Sequence, residues 1–321
     1  MGLRSAVSRE VDLFISFTWR DLSATVIPSS LFALGTFKNL DYTTMARNYA
    51  MALVWVTLYL YTFNLFTQGM SQDEDSINKP DRPLPCGKVD FYGCMKRYLV
   101  ALAAFVATSL LYRPIMPETL TWAFITLLHG ATQLGGNWFG KNVLAISIGS
   151  WTLLSPPRKI MAADMPETWP QIVAASIWAG IVFNIQDFRD QKGDRLVARS
   201  TLPLVMGDVA ARYAVAFFFA PLGFAALYYL GLAQTAPWLL GGLHLLTSYR
   251  ILALRSSRAD HDTHMLVTYM FCLILTLCSL QTLGFVSASR PVEKLLSDWI
   301  FTVPLANFKQ LWNPHLPSTL Y

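Results

Sequence analysis

The sequence predicts an all-α fold, a polytopic bundle of about nine membrane-spanning helices, and three observations support that prediction. Hydrophobic residues make up 54% of the 321 positions and charged residues only 14%, whereas an ordinary soluble domain carries about 25% charged residues. The mean hydropathy is positive, at +0.38. Apolar runs of roughly 20 residues, the length that crosses a bilayer as a helix, recur along the whole chain. We therefore predict an integral membrane protein.

The predicted spans, in chain order, are residues 12–36, 44–68, 92–112, 118–138, 142–156, 168–188, 209–230, 236–254 and 264–286. The fifth is short and ends at Ser155-Pro156-Pro157, because proline cannot continue a helix without losing a hydrogen bond. No long polar linker separates the spans, so residues 1–286 are predicted to form a single domain. The segment 287–321 holds tryptophan and proline residues typical of an interfacial or loosely ordered tail.

The basic residues predict how the bundle is oriented. With nine spans, the N-terminus and the loops after spans two, four, six and eight share one side, which carries about twice as many Lys and Arg residues as the other. The positive-inside rule places that side in the cytosol, and the endoplasmic reticulum is the expected membrane. The net charge of +5 is therefore a topology signal, and nothing in the sequence indicates a nucleic-acid partner.

Two polar segments interrupt the apolar sequence: SQDEDSINKPDRPLPCG at residues 71–87 and NIQDFRDQKGDRLVARSTLP at residues 184–203. Because four spans separate them, both emerge on the same side of the membrane. In the second segment Asp187, Asp190 and Asp194 are spaced i, i+3 and i+7, which places them on one face of a helix.

The first segment repeats this spacing at Gln68, Ser71 or Gln72, and Asp75, as an internal pseudo-repeat would. Two facing helix ends with several carboxylates make a negative site that favours hard cations, and Mg²⁺ prefers carboxylates together with phosphate oxygens. Nearby basic residues could complete a diphosphate site: Lys79, Arg82, Lys141, Arg189, Arg195 and Arg199. The alternative is that both segments are solvated loops whose charges balance each other, which is less favoured for two such segments on one side.

The motifs DSINKPDRPLPCG (75–87) and QDFRDQKGDR…STLPLVMG (186–207) resemble the two signature motifs of the UbiA superfamily of intramembrane prenyltransferases. In that family an Asp precedes Asn-Lys-Pro-x-Arg-Pro, and an Asp-rich helix end precedes Gly-Asp and Thr-Leu-Pro. The predicted spans agree with the family layout. The resemblance implies that Mg²⁺ binds the diphosphate of an isoprenoid, and that an allylic cation forms in an apolar, aromatic cavity.

The resemblance also implies roles for particular residues. Asp75, Asp190 and Asp194 are the expected catalytic residues. The expected Mg²⁺ ligands are Glu74, Asp75, Asp187, Asp190 and Asp194. The expected substrate-binding residues are Asn64, Gln68, Asn78, Arg82, Lys141 and Arg195.

The first motif departs from the usual family pattern, an Asn and two Asp at four-residue intervals. Thr67, Ser71 and Asp75 hold those places here, so two expected metal ligands are missing. Asn64, Gln68, Asp73 and Glu74 stand close by. This form resembles a divergent fungal branch that includes membrane-bound terpene cyclases, which ionise farnesyl diphosphate and close the cation on its own chain.

The predicted function is therefore a Mg²⁺-dependent sesquiterpene cyclase acting on farnesyl diphosphate. Transfer of a prenyl group to an aromatic acceptor is the alternative, and a non-enzymatic membrane carrier is a third reading. A cyclase needs only a shaped apolar cavity and a late base, whereas a transferase needs an acceptor pocket. His129 and His244 are candidate bases, although a lone membrane histidine more often packs between helices. Gln133 and Asn137 are interpreted as interhelical hydrogen-bonding residues.

Overall fold

A computed structural model describes residues 3–162 and 168–286 of the chain. Over these residues the secondary structure is helical, apart from one parallel bridge between Asn137 and Ser200, so the all-α prediction is confirmed. The predicted tail at 287–321 lies outside the described residues. The helices, in chain order, are α1 Leu3–Thr18, α2 Val26–Leu34, α3 Tyr42–Met70, α4 Gln72–Asn78, α5 Phe91–Leu111, α6 Met116–Ala131, α7 Ala145–Met161, α8 Trp169–Val182, α9 Asp187–Leu196, α10 Leu202–Met206, α11 Asp208–Ala214, α12 Ala220–Tyr229, α13 Pro237–Ala253 and α14 Ser257–Thr282.

Helical structure covers each of the nine predicted spans, but several spans are built from more than one piece. Four helical stretches among the described residues are long and apolar enough to cross a membrane: Tyr42–Met70, Phe91–Leu111, Asp208–Tyr229 and Ser257–Thr282. The third of these includes a π-helical turn at Val215–Phe219 between α11 and α12. The chain is thus suited to a bilayer, while the count of nine crossings and the single domain stay predictions.

The first predicted span is divided in the structure. α1 ends at Thr18, a 3-10 turn follows at Trp19–Asp21, and α2 begins at Val26. The break leaves the Phe17 carbonyl without its helical partner, and the Asn64 side chain of α3 donates a hydrogen bond of 2.7 Å to it. Because a side chain satisfies the freed backbone group, the break is tolerated inside an apolar bundle.

The fifth predicted span does not end at its prolines. α7 continues through Pro156 and Pro157 to Met161, so the predicted end is wrong. Pro157 has no N–H to donate to the carbonyl of Leu153, and the Ser29 hydroxyl of α2 donates to that carbonyl instead, at 3.3 Å. A neighbouring helix thus replaces the lost hydrogen bond, which is how membrane helices accommodate proline.

Three apolar clusters form the interior, and two of them hold the helices that lead to the acidic segments. One surrounds α8, where the fully buried Trp178 ring stacks on Phe271 of α14 at 6.0 Å. The other joins α3, α5 and α6 around Trp55 and Trp122. The second cluster holds α3 among the helices of the N-terminal half, and the first holds α8 among those of the C-terminal half. The polar helices α4 and α9 directly follow α3 and α8, and they pack against each other.

Candidate active site

The two acidic segments form the short helices α4 and α9. α4 starts one residue after α3 ends at Met70, and three carboxylates occupy its first turn, where they favour the positive end of a helix. It ends at Asn78, because the residue before a proline, here Lys79, disfavours helical backbone. Because of this interruption, Gln68 and Asp75 do not lie on one continuous helix. Their spacing in the sequence predicted that they would.

α9 continues from α8 through a 3-10 turn at Phe183–Gln186. Asp187, Asp190 and Asp194 all lie on it and all three side chains are buried. The prediction that they share one face of a helix is therefore confirmed. The prediction that both acidic segments come together on one side is confirmed as well, because α4 packs on α9.

Asn78 fastens α4 to α9. Its side-chain nitrogen donates to the Asp190 carbonyl at 2.9 Å and to Glu74 Oε1 at 3.2 Å, and its oxygen accepts from the Gly193 N–H at 3.0 Å. A Cβ at Gly193 would lie 2.4 Å from the Asn78 nitrogen, so only glycine permits this approach. The amide therefore sets the distance between the two acidic helices.

Asp75 is fully buried and is held by Arg82. The Nη1 of Arg82 lies 2.7 Å from Asp75 Oδ1 and 2.8 Å from Oδ2. Burial raises the pKa of the Asp75 carboxyl above its usual value, and the charges of Arg82 and Lys79 offset only part of this rise. The first-motif aspartate and arginine thus form one buried pair.

Arg199 connects Glu74 of α4 with Asp194 of α9. Its Nη1 lies 2.5 Å from Glu74 Oε2 and 3.1 Å from Asp194 Oδ1. Burial raises the pKa of Asp194, and the charges of Lys141 and Arg199 do not cancel this rise. The second carboxylate oxygen of Asp194, Oδ2, is buried and has no hydrogen-bond partner within the part of the chain that the structure describes. This oxygen is free to bind a ligand.

Lys79 lies among three carboxylates at distances longer than a hydrogen bond. Its Nζ is 3.7 Å from Glu74, 3.8 Å from Asp75 and 3.8 Å from Asp190. Burial raises the pKa of Asp190, but Lys79, Arg189 and Lys141 outweigh it and hold that pKa well below its usual range. Burial likewise raises the pKa of Glu74, and Lys79, Arg199 and Lys141 again bring it below its usual value. Both carboxyls are therefore negatively charged at neutral pH.

Asp187 is anchored from the other side by residues of the π-helical turn Phe139–Leu144. The Lys141 Nζ lies 2.7 Å from Asp187 Oδ1, and the Asn142 amide donates to Oδ2 at 2.6 Å. The Asn142 oxygen in turn accepts from Gln186 at 2.8 Å. Sequence reasoning identified Lys141 and missed Asn142. The sequence signal for Asn142 was an amide directly after a charged residue in an apolar span. A polar side chain in such a span is costly unless it has a hydrogen-bond partner or a function.

The carboxylates have basic partners throughout. Five acidic side chains meet five basic ones within the described residues, and the pairs are Glu74 with Arg199, Asp75 with Arg82, Asp187 with Lys141, Asp190 with Lys79 and Arg189, and Asp194 with Arg199. Five of the six basic residues predicted to lie near the negative site, all but Arg195, thus pair with its carboxylates. The pairing exists because unpaired buried charges cost several kcal/mol each.

The donor set fits Mg²⁺, which takes oxygen ligands, carboxylates above all. No three Asp, Glu, His or Cys side chains among the described residues are grouped as a ready metal site, because basic side chains lie between them. The buried, unpaired Oδ2 of Asp194 and the long contacts of Lys79 are the points at which the cluster can open to a cation. The predicted metal ligands thus lie together, and their metal binding stays a prediction.

Three predicted substrate-binding residues are not part of this cluster. Asn64 donates to the Phe17 carbonyl and to Asp21, and Gln68 also donates to the Phe17 carbonyl, at 3.3 Å. Both amides therefore support the break between α1 and α2. Arg195 is exposed, and none of its contacts among the described residues is with a carboxylate of the cluster. Asn78, Arg82 and Lys141 do belong to it.

A column of aromatic rings lies in the bundle formed by α3, α5 and α6. Tyr59 and Trp122 stack with centroids 4.2 Å apart, and Phe63 stacks on Trp122 at 5.0 Å. Trp55 and Phe105 extend the column at the Tyr59 end. At the Phe63 end lies His129, with ring centroids 5.7 Å apart. We refer to the five rings of Trp55, Tyr59, Phe63, Phe105 and Trp122 as the aromatic column, and His129 adjoins it at the Phe63 end.

The fold and the paired acidic helices define a class, the intramembrane prenyltransferase-type enzymes. The model of the UbiA prenyltransferase family matches residues 23–275, and the chain belongs to this family. A solved UbiA homologue of Archaeoglobus fulgidus, bound to GPP and Mg²⁺, superposes with a TM-score of 0.59 over 85% of this chain and 99% of that one. At 11% identity this likeness shows the fold alone.

Two similar curated proteins come from the fungus Hericium erinaceus. The diterpene cyclase eriG is 42% identical over 297 residues, which is 92% of this chain and 97% of eriG. The polyprenyl transferase eriF is 41% identical over 288 residues, 89% of this chain and 100% of eriF. The somaliensene A/B synthase of Streptomyces somaliensis is 32% identical over 86% of this chain and 95% of the synthase. The protein is therefore a membrane-bound enzyme of this family, and not the carrier of the third reading.

Proposed function

We propose that this protein is a Mg²⁺-dependent terpene cyclase that ionises a prenyl diphosphate and closes the resulting cation within the bundle. The proposal rests on the hydrogen bonds that the polar atoms of the aromatic column make. Trp55 donates to Thr119, Tyr59 donates to the Gly149 carbonyl, and Trp122 donates to the Tyr59 carbonyl. The polar atoms of these three rings are therefore used within the protein, which leaves few groups in the column that could orient an acceptor, whereas aromatic rings attract cations.

The charged cluster would bind the diphosphate. Lys79, Arg82, Lys141 and Arg199 are cations that can donate to phosphate oxygens. The carboxylates of Glu74, Asp75, Asp187, Asp190 and Asp194 would hold Mg²⁺. Bound there, the metal supplies Lewis acidity that weakens the bond to the leaving diphosphate. Asn78 keeps the two acidic helices at the spacing that the ligand requires.

The length of the prenyl chain is the open part of the proposal. The sequence predicts farnesyl diphosphate, with fifteen carbons. The name of eriG, a diterpene cyclase, supports a twenty-carbon chain instead, because a diterpene has twenty carbons. We propose both as substrates to compare, in a cytosol-facing site of the endoplasmic reticulum as the basic residues predict.

Prenyl transfer to an aromatic acceptor is the second candidate. It is supported by the polyprenyl transferase eriF, whose identity to this chain is nearly that of eriG. A transferase and a cyclase share the diphosphate site. They differ in whether the cation is attacked by its own double bonds or by a second molecule.

The test uses membranes that contain the full-length protein, with Mg²⁺ and geranyl, farnesyl or geranylgeranyl diphosphate and no acceptor. Released diphosphate is assayed and the organic extract is analysed for cyclic hydrocarbons by gas chromatography and mass spectrometry. A cyclase releases diphosphate and forms a cyclic hydrocarbon from one of these substrates, and EDTA abolishes the diphosphate release and the hydrocarbon alike. Substrate that stays intact until an aromatic acceptor is added would overturn the proposal in favour of transfer.

A further inference from the structure

His129 lies in the last turn of α6, between the aromatic column and the charged cluster. On the column side its ring packs against Phe63. On the other side the loop that follows α6 turns back over it, so that a Cβ at Gly135 would lie 3.2 Å from the His129 Cγ. The next residue, Gly136, packs against Arg199 of the cluster. Lys141, Arg199 and Glu74 are the charged groups that act on the ring electrostatically.

The Nδ1 atom of His129 is buried and has no hydrogen-bond partner among the described residues. Both ring nitrogens of His244, the other candidate base, make hydrogen bonds. Its Nε2 accepts from Trp178 at 2.8 Å, and its Nδ1 donates to the Leu240 carbonyl at 2.7 Å. The packing interpretation is therefore right for His244. An unpaired buried nitrogen costs free energy, so its retention next to a binding site points to use by a ligand.

We propose that His129 accepts the proton whose loss ends the cyclisation; this inference rests on the proposed cyclase function. After ionisation, the C–O bond electrons leave with the diphosphate, and ring closure moves the positive charge along the chain. In the last step a C–H bond next to the cationic carbon breaks, and its electron pair forms the new C=C bond. The proton is taken up by the lone pair of the free imidazole nitrogen, and it leaves later to the released diphosphate or to water.

The position of His129 suits this step. A cation beside the Phe63 ring would also lie beside the imidazole, because the Phe63 ring contacts both Trp122 and His129. Thr126 also has a buried hydroxyl without a partner and lies one turn before His129 on the same face of α6. A neutral hydroxyl is a much weaker base than an imidazole, so Thr126 provides the matched control.

The experiment compares His129→Phe, His129→Asn and Thr126→Val with the wild type, on the substrate that the wild type converts. Phenylalanine keeps a ring against Phe63, and asparagine is the smaller second variant. Diphosphate release measures ionisation, and the product ratio measures the last step. With His129→Phe we expect diphosphate release within about threefold of the wild type. The share of the wild-type alkene should fall about 100-fold or more, the low end of what a positioned base contributes. Isomeric alkenes or alcohols from water capture should replace it.

An unchanged product ratio in both His129 variants would overturn the proposal and assign proton removal to the diphosphate or another group. A loss of diphosphate release with an unchanged ratio would also overturn it, because that pattern indicates a packing role. Thr126→Val should leave the ratio unchanged, and an equal shift in this variant would assign the effect to the shape of the column. Failure of the proposed function is seen separately, in a wild type that yields no hydrocarbon without an acceptor.

Discussion

The close contact between Gly193 and Asn78 makes Gly193→Ala the most direct test of the site. The added Cβ would lie 2.4 Å from the Asn78 nitrogen, about 1 Å inside an optimal contact of about 3.5 Å. Either the Asn78 amide must turn away and lose its hydrogen bonds between the two acidic helices, or the helices must move apart by a comparable distance. A misplacement of about 1 Å can cost about 100-fold in rate, which corresponds to about 2.7 kcal/mol.

Stability should respond much less than activity. Alanine favours the helix over glycine by about 0.5–1 kcal/mol, and the overpacking costs about 1–3 kcal/mol. We therefore expect Gly193→Ala to lower diphosphate release about 100-fold while the melting temperature changes by only a few degrees. Gly242→Ala is the matched control, because a Cβ at that helical position contacts no neighbour.

A double-mutant cycle of Gly193→Ala and Asn78→Ala tests whether their contact sets the spacing of the two helices. Asn78→Ala removes the side chain that the new methyl group meets, so the double variant should be no worse than Asn78→Ala alone. If the effects of Gly193→Ala and Asn78→Ala simply add, the assigned contact does not set the helix spacing. A Gly193→Ala enzyme with wild-type diphosphate release would refute the reasoning outright.

Three further predictions concern the charges. Asp75→Ala and Asp190→Ala should each abolish diphosphate release while expression and membrane insertion persist, and substantial remaining activity would remove that residue from the metal site. Arg158→Met should leave the thermal stability unchanged or raise it, because all three guanidinium nitrogens are buried over Phe32 and unpaired among the described residues. Lys159→Met should lower the free energy of unfolding by about 3 kcal/mol, because the buried Glu118 loses its cation. A thermal melt in which Arg158→Met is the less stable of the two variants would contradict both predictions. Mg²⁺ with inorganic diphosphate should raise the melting temperature clearly more than either alone, and an equal rise with Mg²⁺ alone would contradict the paired-charge description.

The sequence predicted the helical class and the meeting of the two acidic segments because both depend on local patterns. Apolar runs of bilayer length and the spacing of Asp187, Asp190 and Asp194 are visible in the chain itself. The pairing of those carboxylates is not, since Lys141 reaches Asp187 from the π-helical turn Phe139–Leu144 and Arg199 reaches Asp194 from the segment after α9. Asn64 and Gln68 were assigned to the substrate because they precede Asp75 at helical spacing, next to first-motif positions that lack the usual ligands. Their role at the α1–α2 break depends on the Phe17 carbonyl, about 50 residues away.

The paired charges explain how such a site can exist before any ligand arrives. Five carboxylates buried together would repel each other and would be protonated or unstable, so each is held by Lys or Arg. A metal ion alone would meet cations already in place, and a diphosphate alone would meet carboxylates. Under the proposed function, a diphosphate accompanied by Mg²⁺ would present both charges at once, so that the basic side chains would bind phosphate oxygens and the carboxylates would hold the metal. The same pairing that stabilises the free protein would then favour the complete substrate over either of its parts.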